Sequence, residues 1–341
     1  MATPVRTLEL RTSPHVLSGY AVDSIMFNVV VALAPTTLFA LYAFGWAALA
    51  VLGTATASCV VAEHLICRAG GRPSTAGDWS AAVTGLLYGL TLPASLPLWM
   101  VAVGGLVSIG IGKLLFGGLG QNPFNPALVG RAVMQATFPV AMTTWLPPFA
   151  AGRFAGLPGS LLTTPFAIPV YDATTQATPL AAWKFGRQAT EAADLALGFV
   201  GGSTGETSAL LILLGGAYLV ARNMMSWRTP VAIFASVAAV SGILHLVDPA
   251  RYAGPAFHLF AGGLMLGAVF MATDMVTSPI TRAGCVLYGA LIGVLVVVIR
   301  VWGGMPEGVM YAVLLGNAVA PHLDNLVRPR VYGTGGKGAR R

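Results

Sequence analysis

Residues 24–44 and 46–67 are almost unbroken apolar runs separated by a single glycine. Runs of this length reach the roughly 20 apolar residues that a helix needs to cross a bilayer. Hydrocarbon offers no water to the backbone, so every N–H and C=O must find its partner within the protein. The pattern recurs at roughly 80–94, 97–116, 126–146, 207–222, 230–247, 256–273, 284–301 and 308–324. With 56% hydrophobic and 9% charged residues, against about 25% charged in a soluble domain, the chain cannot coat itself against water. The sequence predicts an all-α integral membrane protein of about ten transmembrane helices. The opening MATPVRTLELRTSPH has no apolar stretch after its first basic residues, so no signal peptide is expected and the spans themselves direct insertion.

Cytoplasmic loops of such proteins carry an excess of lysine and arginine. Placing the N-terminus in the cytoplasm puts Arg6, Arg11, Arg68, Arg72, Lys113, Arg131, Arg222, Arg228, Arg282 and the tail residues Arg328, Arg330, Lys337, Arg340 and Arg341 inside. Only Arg153, Lys184, Arg187, Arg251 and Arg300 fall outside. Both termini are therefore expected in the cytoplasm, with a long outer loop at 147–206. The organisation this gives is an N-terminal segment 1–23, five spans in 24–146, the loop 147–206, five spans in 207–324 and a basic tail 325–341. The net charge of +7 belongs largely to that tail. No basic stripe interleaved with aromatics is present, so nucleic-acid binding is not expected.

The two sets of five spans resemble each other. TGLLYGLTLPASLPLW (Thr84 to Trp99) is similar to AGGLMLGAVFMATDMVTSP (Ala261 to Pro279), and FGGLGQNPFNPALVG parallels WGGMPEGVMYAVLLG. An odd number of spans precedes the second set, so it enters with opposite orientation, the inverted-repeat plan of many transporters. Segments broken by Gly and Pro are tolerated at membrane depth where their freed backbone lines a cavity. Inversion groups NPFNP with ATDMVTSP on the cytoplasmic side and TLPASLP with GGMPEG on the outer side. Two cavities follow, one near each surface; the alternative is that the breaks are plain tight turns.

Familiar chemistries are missing. The chain has no G-x-x-x-x-G-K-S/T phosphate loop, and its histidines, His15, His64, His245, His258 and His322, form no metal-ligand spacing. Cys59, Cys67 and Cys285 form no C-x-x-C pair, so an iron–sulfur or zinc site is not expected and they read as apolar filler. Asp274 and Glu307 are the acids inside the repeat breaks, and carboxylates at membrane depth are functional candidates for ion or electron coupling. Their structural alternative is a helix cap, or an ion pair with Arg282 and Arg300 respectively. Glu63 and His64 form a lesser pair in the second span.

The outer loop holds DATTQATPL (Asp172 to Leu180). Asp172-x-x-Thr175-x-Ala177-Thr178 resembles the flavin-attachment motif D-x-x-S/T-x-A-T. That resemblance implies FMN joined through its phosphate to the Thr178 hydroxyl by a flavin transferase, with Asp172 serving recognition and loading, Thr175 a further motif position at the cofactor site and Ala177 giving access. The blocks GGLGQNPFNPALVGR, GETSALLILLGG, FMATDMVTSP and PEGVMYAVLLGNAVAPHLDN are similar to those of the NqrB/RnfD family. These are the flavin-bearing membrane subunits of the sodium-pumping quinone reductase and of the Rnf complex. The resemblance runs from Ser13 to Asn325. The short N-terminal segment and early end fit the RnfD branch better, and Gln176 stands where many relatives have glycine.

Several expectations follow from this resemblance. The fold is urea-transporter-like, and the protein is a bacterial inner-membrane subunit coupling electron transfer between ferredoxin and NAD to ion translocation. Its partners are RnfA, RnfB, RnfC, RnfE and RnfG. A second, non-covalent flavin, riboflavin, is implied on the cytoplasmic side at Asn122 and Asn125, whose structural alternative is to cap the fifth span. Lys184 and Arg187 would balance the FMN phosphate, and Thr207 and Ser208 would cap the sixth span beside it. The competing readings are an NqrB-like subunit of a sodium-pumping NADH:quinone reductase and, because fold alone does not fix function, a flavin-free channel or solute transporter or a plain scaffold.

Overall fold

The computed structural model describes residues 21–167, 176–188, 190–206 and 208–328. Asp172, Thr175 and Thr207 lie outside the described residues, as do Arg6, Arg11 and the tail beyond Arg328. The described residues hold helices and turns and no strand. In chain order the helices are α1 (Val22–Phe44), α2 (Trp46–Ala69), α3 (Ser80–Leu90), α4 (Leu98–Gly110), α5 (Pro126–Thr137), α6 (Pro139–Met142), α7 (Pro179–Gly186), α8 (Ala192–Leu197), α9 (Ala209–Ala221), α10 (Arg228–Val247), α11 (Pro255–Phe260), α12 (Leu264–Leu266), α13 (Arg282–Trp302) and α14 (Val309–Leu326).

Each apolar segment is helical, but only some are span-length. Among the described residues five helical stretches are long and apolar enough to cross a membrane: Val22–Phe44, Trp46–Ala69, Leu98–Phe116, Arg228–Val247 and Arg282–Trp302. The segment read at 256–273 is broken into α11, α12 and the π-helical turn Gly267–Met271. At 1.5 Å per residue, the 11 residues of α3 rise about 17 Å, roughly half the hydrocarbon thickness. The Gly and Pro clusters explain the shortening: TLPASLP stops α3 at Leu90, and the φ of +68° at Gly262 turns the chain between α11 and α12.

The order of packing recurs. In the first half α2 packs on α3 and α4, and α4 on α5; in the second, α10 packs on α11 and α13, and α13 on α14. One contact is duplicated closely. Ser58 on α2 donates to the Ala55 carbonyl at 3.0 Å and faces Gly105 on α4; Ser236 on α10 donates to the Ile233 carbonyl at 3.1 Å and faces Gly293 on α13. Small residues at such crossings bring helix backbones together where hydrocarbon supplies no hydrophobic drive. The halves meet through α1 and α9, where Tyr218 donates to Asn28 Oδ1 at 2.6 Å and Gly215 lies against the Ala32 carbonyl.

The breaks are satisfied internally, as lipid requires. Past the end of α3, the Gly205 and Thr204 N–H groups donate to the Leu90 and Leu92 carbonyls at 2.7 and 3.0 Å, and the Thr204 hydroxyl donates to Gly89 at 2.8 Å. The loop after α6 folds over the α1–α2 turn: the Phe149 N–H donates to Ala43, the Trp46 N–H to Arg153 and Arg153 Nε to the Tyr42 carbonyl. This end of the molecule therefore carries the α1–α2 turn, the TLPASLP break, the GGMPEG turn and Thr178. The opposite end carries NPFNP and Asp274.

The charge count behind the expected orientation needs one correction. Lys113, Arg131 and Arg300, read as loop charges, are buried among the helices at 1%, 8% and 3% exposure.

Candidate functional site

A cavity of about 480 Å³ opens at the Thr178 end. Its wall includes Gln176, Ala177 and Thr178, with Trp145 from beyond α6, Phe185 on α7, Met305 in the GGMPEG turn, and Met310 and Tyr311 on α14. Thr178 is buried and is the N-cap of α7: its Oγ1 accepts from the Ala181 N–H at 3.3 Å. Pro179 takes the first helical position, where a missing N–H costs nothing. The Gln176 N–H donates to the Trp145 carbonyl at 3.2 Å, holding the motif's last residues over the cavity.

The two cations downstream are committed elsewhere. Lys184 Nζ donates to the carbonyls of Arg300, Gly303 and Met305 at 2.9, 2.5 and 3.0 Å, so it seals the C-terminal end of α13, and its partial burial lowers its pKa. Arg187 donates to the Arg251 carbonyl and lies over the Trp183 ring. Neither cation lines the cavity. Ser208 sits at the N-cap of α9, but its side chain makes no capping bond.

Glu307 forms part of the cavity floor. Its Oε1 accepts from the Gly308 and Val309 N–H groups at 3.1 and 3.2 Å and from Arg300 Nη2 at 3.3 Å; its Oε2 accepts from the Gly263 N–H at 3.2 Å. Arg300 also donates to the His258 and Ala261 carbonyls at 2.6 and 2.8 Å. Glu307 is thus both cap and ion-pair partner, the structural alternative named for it. Two further charged groups were missed by sequence reading. Glu206, held by the Ser203 N–H at 3.4 Å, and Arg131, on α5, line the cavity with Glu307. Arg131 Nε is buried without a hydrogen-bond partner. An arginine inside an apolar span is itself a functional signal, and it was available in the sequence.

At the opposite end Asn122, Asn125 and Asp274 line one small cavity of about 60 Å³ with Ser80, Thr84 and Lys113. The expected grouping of the NPFNP and ATDMVTSP breaks is therefore present. Asn125 caps α5, accepting from the Ala127 and Leu128 N–H groups at 3.1 and 3.4 Å, and its amide donates to the Met271 carbonyl at 3.3 Å. Asn122 donates to the Phe124 carbonyl at 3.1 Å, and its own oxygen is buried without a partner. Asp274 accepts from the Val276 N–H at 3.2 Å and the Thr277 hydroxyl at 3.4 Å. Beside this cavity, Lys113 Nζ lies 2.8 Å from both oxygens of Glu63 and 2.6 Å from Ser80 Oγ, and Thr75 also donates to Glu63. His64 contacts Ser74 instead of joining Glu63.

The bundle and its two sites define an all-helical membrane protein with a ligand-sized cavity, walled by a hydroxyl at a helix cap and by a buried arginine. A family model described as NQR2, RnfD, RnfE matches residues 9–333, and the chain belongs to that family. It is 43% identical over 333 residues to a subunit of the ion-translocating oxidoreductase complex of Stutzerimonas stutzeri, covering 93% of this chain and 94% of the relative. It is 39% identical to a subunit of the proton-translocating ferredoxin:NAD(+) oxidoreductase complex of Clostridium ljungdahlii, over 95% of this chain and 96% of the relative. The counterpart in the Na(+)-translocating ferredoxin:NAD(+) oxidoreductase complex of Acetobacterium woodii is also 39% identical, over 96% and 95%.

Proposed function

We propose that this chain is the membrane subunit of an Rnf-type complex that couples electron transfer between ferredoxin and NAD to ion translocation, and that it carries FMN as a phosphoester on Thr178. The observation that carries the reading is the position of Thr178 in the wall of the outer cavity. That cavity falls within the roughly 300–1,000 Å³ of ordinary ligand sites. The residues fit the group. The N-terminal end of α7, where the Ala181 N–H points at Thr178 Oγ1, suits a phosphate. Trp145, Met310 and Tyr311 would hold an aromatic ring, and the buried Arg131 offers an unused donor to an anion. When bound, the flavin supplies the redox chemistry; the protein supplies position, water exclusion and electrostatics.

Lys184, Arg300 and Glu307 tie α7, α13 and the start of α14 into one rigid wall. Thr178 Oγ1 would form the ester bond after delivery by a flavin transferase. The loop 147–206 would face the periplasm of a bacterial inner membrane, with both termini cytoplasmic and RnfA, RnfB, RnfC, RnfE and RnfG as neighbours. The names of the curated relatives favour this assignment over a quinone-reducing subunit. A channel has no use for the motif ending at Thr178. The second flavin that the resemblance implies, riboflavin, would lie at the other end by Asn122 and Asn125, which line one cavity with Asp274.

The test is a denaturing gel of the protein co-expressed with a flavin transferase and viewed under ultraviolet light. A fluorescent wild-type band that goes dark in Thr178→Ala is expected. A dark wild-type band would refute the tether.

A further inference from the structure

Arg131 is the odd member of the outer cavity. Of the charged groups there, Glu307 is saturated by three N–H groups and Arg300, and Glu206 accepts from Ser203. Arg131 is 8% exposed, and its Nε has no partner. It lines both the main cavity and a narrow extension of it reaching Met271, and Glu206 and Glu307 line both spaces as well. Its charge acts on both carboxylates. A guanidinium kept at membrane depth with an open donor is costly unless something occupies the space it faces.

We propose that Arg131 sets the reduction potential of the flavin in this cavity, by supplying the positive charge that offsets each electron delivered there. The inference rests on the proposed tether at Thr178 and adds a role that the motif does not contain. Charge beside the ring system is one of the protein's main means of tuning a flavin. A one-electron donor of the complex is oxidised as the electron arrives, and the electron brings one unit of negative charge. Arg131 compensates that unit, so no proton need be taken up with it. The other charged groups around this space are Glu206 and Glu307, with Arg300 bound to Glu307. Of the helices packed against α5, α14 brings Tyr311 to the cavity and α3 carries Tyr88, while α4 has no titratable side chain. Without Arg131 the two carboxylates would oppose reduction.

The experiment is a spectroelectrochemical titration of this flavin in the purified complex, with wild type, Arg131→Gln and Arg131→Lys compared at several pH values. Gel fluorescence is read on the same samples. In Arg131→Gln the equilibrium constant for reduction should fall at least tenfold, which is about 59 mV for a one-electron couple, and Arg131→Lys should recover most of it. The wild-type midpoint should be nearly independent of pH, whereas that of Arg131→Gln should fall as pH rises. A loaded Arg131→Gln flavin with an unchanged midpoint overturns the proposal. So does a wild-type midpoint that moves by about 59 mV per pH unit, a result that needs no variant to fold. A dark wild-type band instead overturns the tether at Thr178, and this inference with it.

Discussion

At the residue scale, the corner around Thr178 is closed by side chains that come from distant parts of the chain. Lys184 and Arg187 stand a few residues after Thr178 and looked like its phosphate partners. Their donors instead go to carbonyls of Arg300, Gly303, Met305 and Arg251, contacts made across more than sixty residues that no local pattern reveals. Arg131, more than forty positions before Thr178 in the chain, is the cation that shares its cavity. Glu307 was legible as an acid in a repeat break, with a helix cap and an ion pair to Arg300 as its structural alternative, but its bond from the Gly263 N–H was not. Gly262 shows how tightly that corner is built. It adopts φ +68°, and a Cβ there would fall 2.0 Å from Glu307 Oε2 and 2.6 Å from Leu180 Cδ1. Gly262→Ala should therefore destabilise the protein by about 1–3 kcal/mol, seen as a lower Tm in detergent and weaker flavin loading. An unchanged Tm would mean that Glu307 does not fix this turn.

At the scale of elements, most apolar runs gave a helix to within a few residues, because lipid leaves the backbone no other choice; the 126–146 run instead gives α5, ending at Thr137, and the short α6. Their lengths were less legible. The 256–273 segment has ordinary apolar content, yet the glycines at 262, 263 and 267 let it break into α11, α12 and a π-helical turn. The pairing of breaks was readable because the two halves share motifs, and the cavity holding Asn122, Asn125 and Asp274 shows the same pairing. The duplicated Ser–Gly crossings make this testable. A Cβ on Gly105 would lie 2.0 Å from Ser58 Oγ, and one on Gly293 would lie 1.8 Å from Ser236 Oγ. Gly105→Val and Gly293→Val should each cost about 1–3 kcal/mol by overpacking, with similar losses of Tm. A large loss in one variant and none in the other would contradict an equivalent role for the two crossings.

At the scale of the whole molecule, the buried charged groups among the described residues lie at two ends, Arg131 and Arg300 by the Thr178 cavity and Lys113 and Glu63 by Asp274. The Lys113–Glu63 pair is held by a bond that Lys113 donates to Ser80 Oγ and one that Thr75 donates to Glu63. Removing one partner of such a pair strands a buried charge, so Lys113→Met should cost about 3–5 kcal/mol, measured as a fall in Tm; a loss below about 1 kcal/mol would argue that the pair does not hold this end together. The coupling ion is not written at this scale. Relatives named for protons and for sodium are equally similar to this chain, at 39% identity each, so overall similarity does not decide it. The proposed role in electron transfer depends on the covalent flavin. Intact-mass analysis of the protein purified from its native host should show the polypeptide plus FMN less one water, with the added mass mapping to the peptide that contains Thr178. A polypeptide at its bare mass would contradict it.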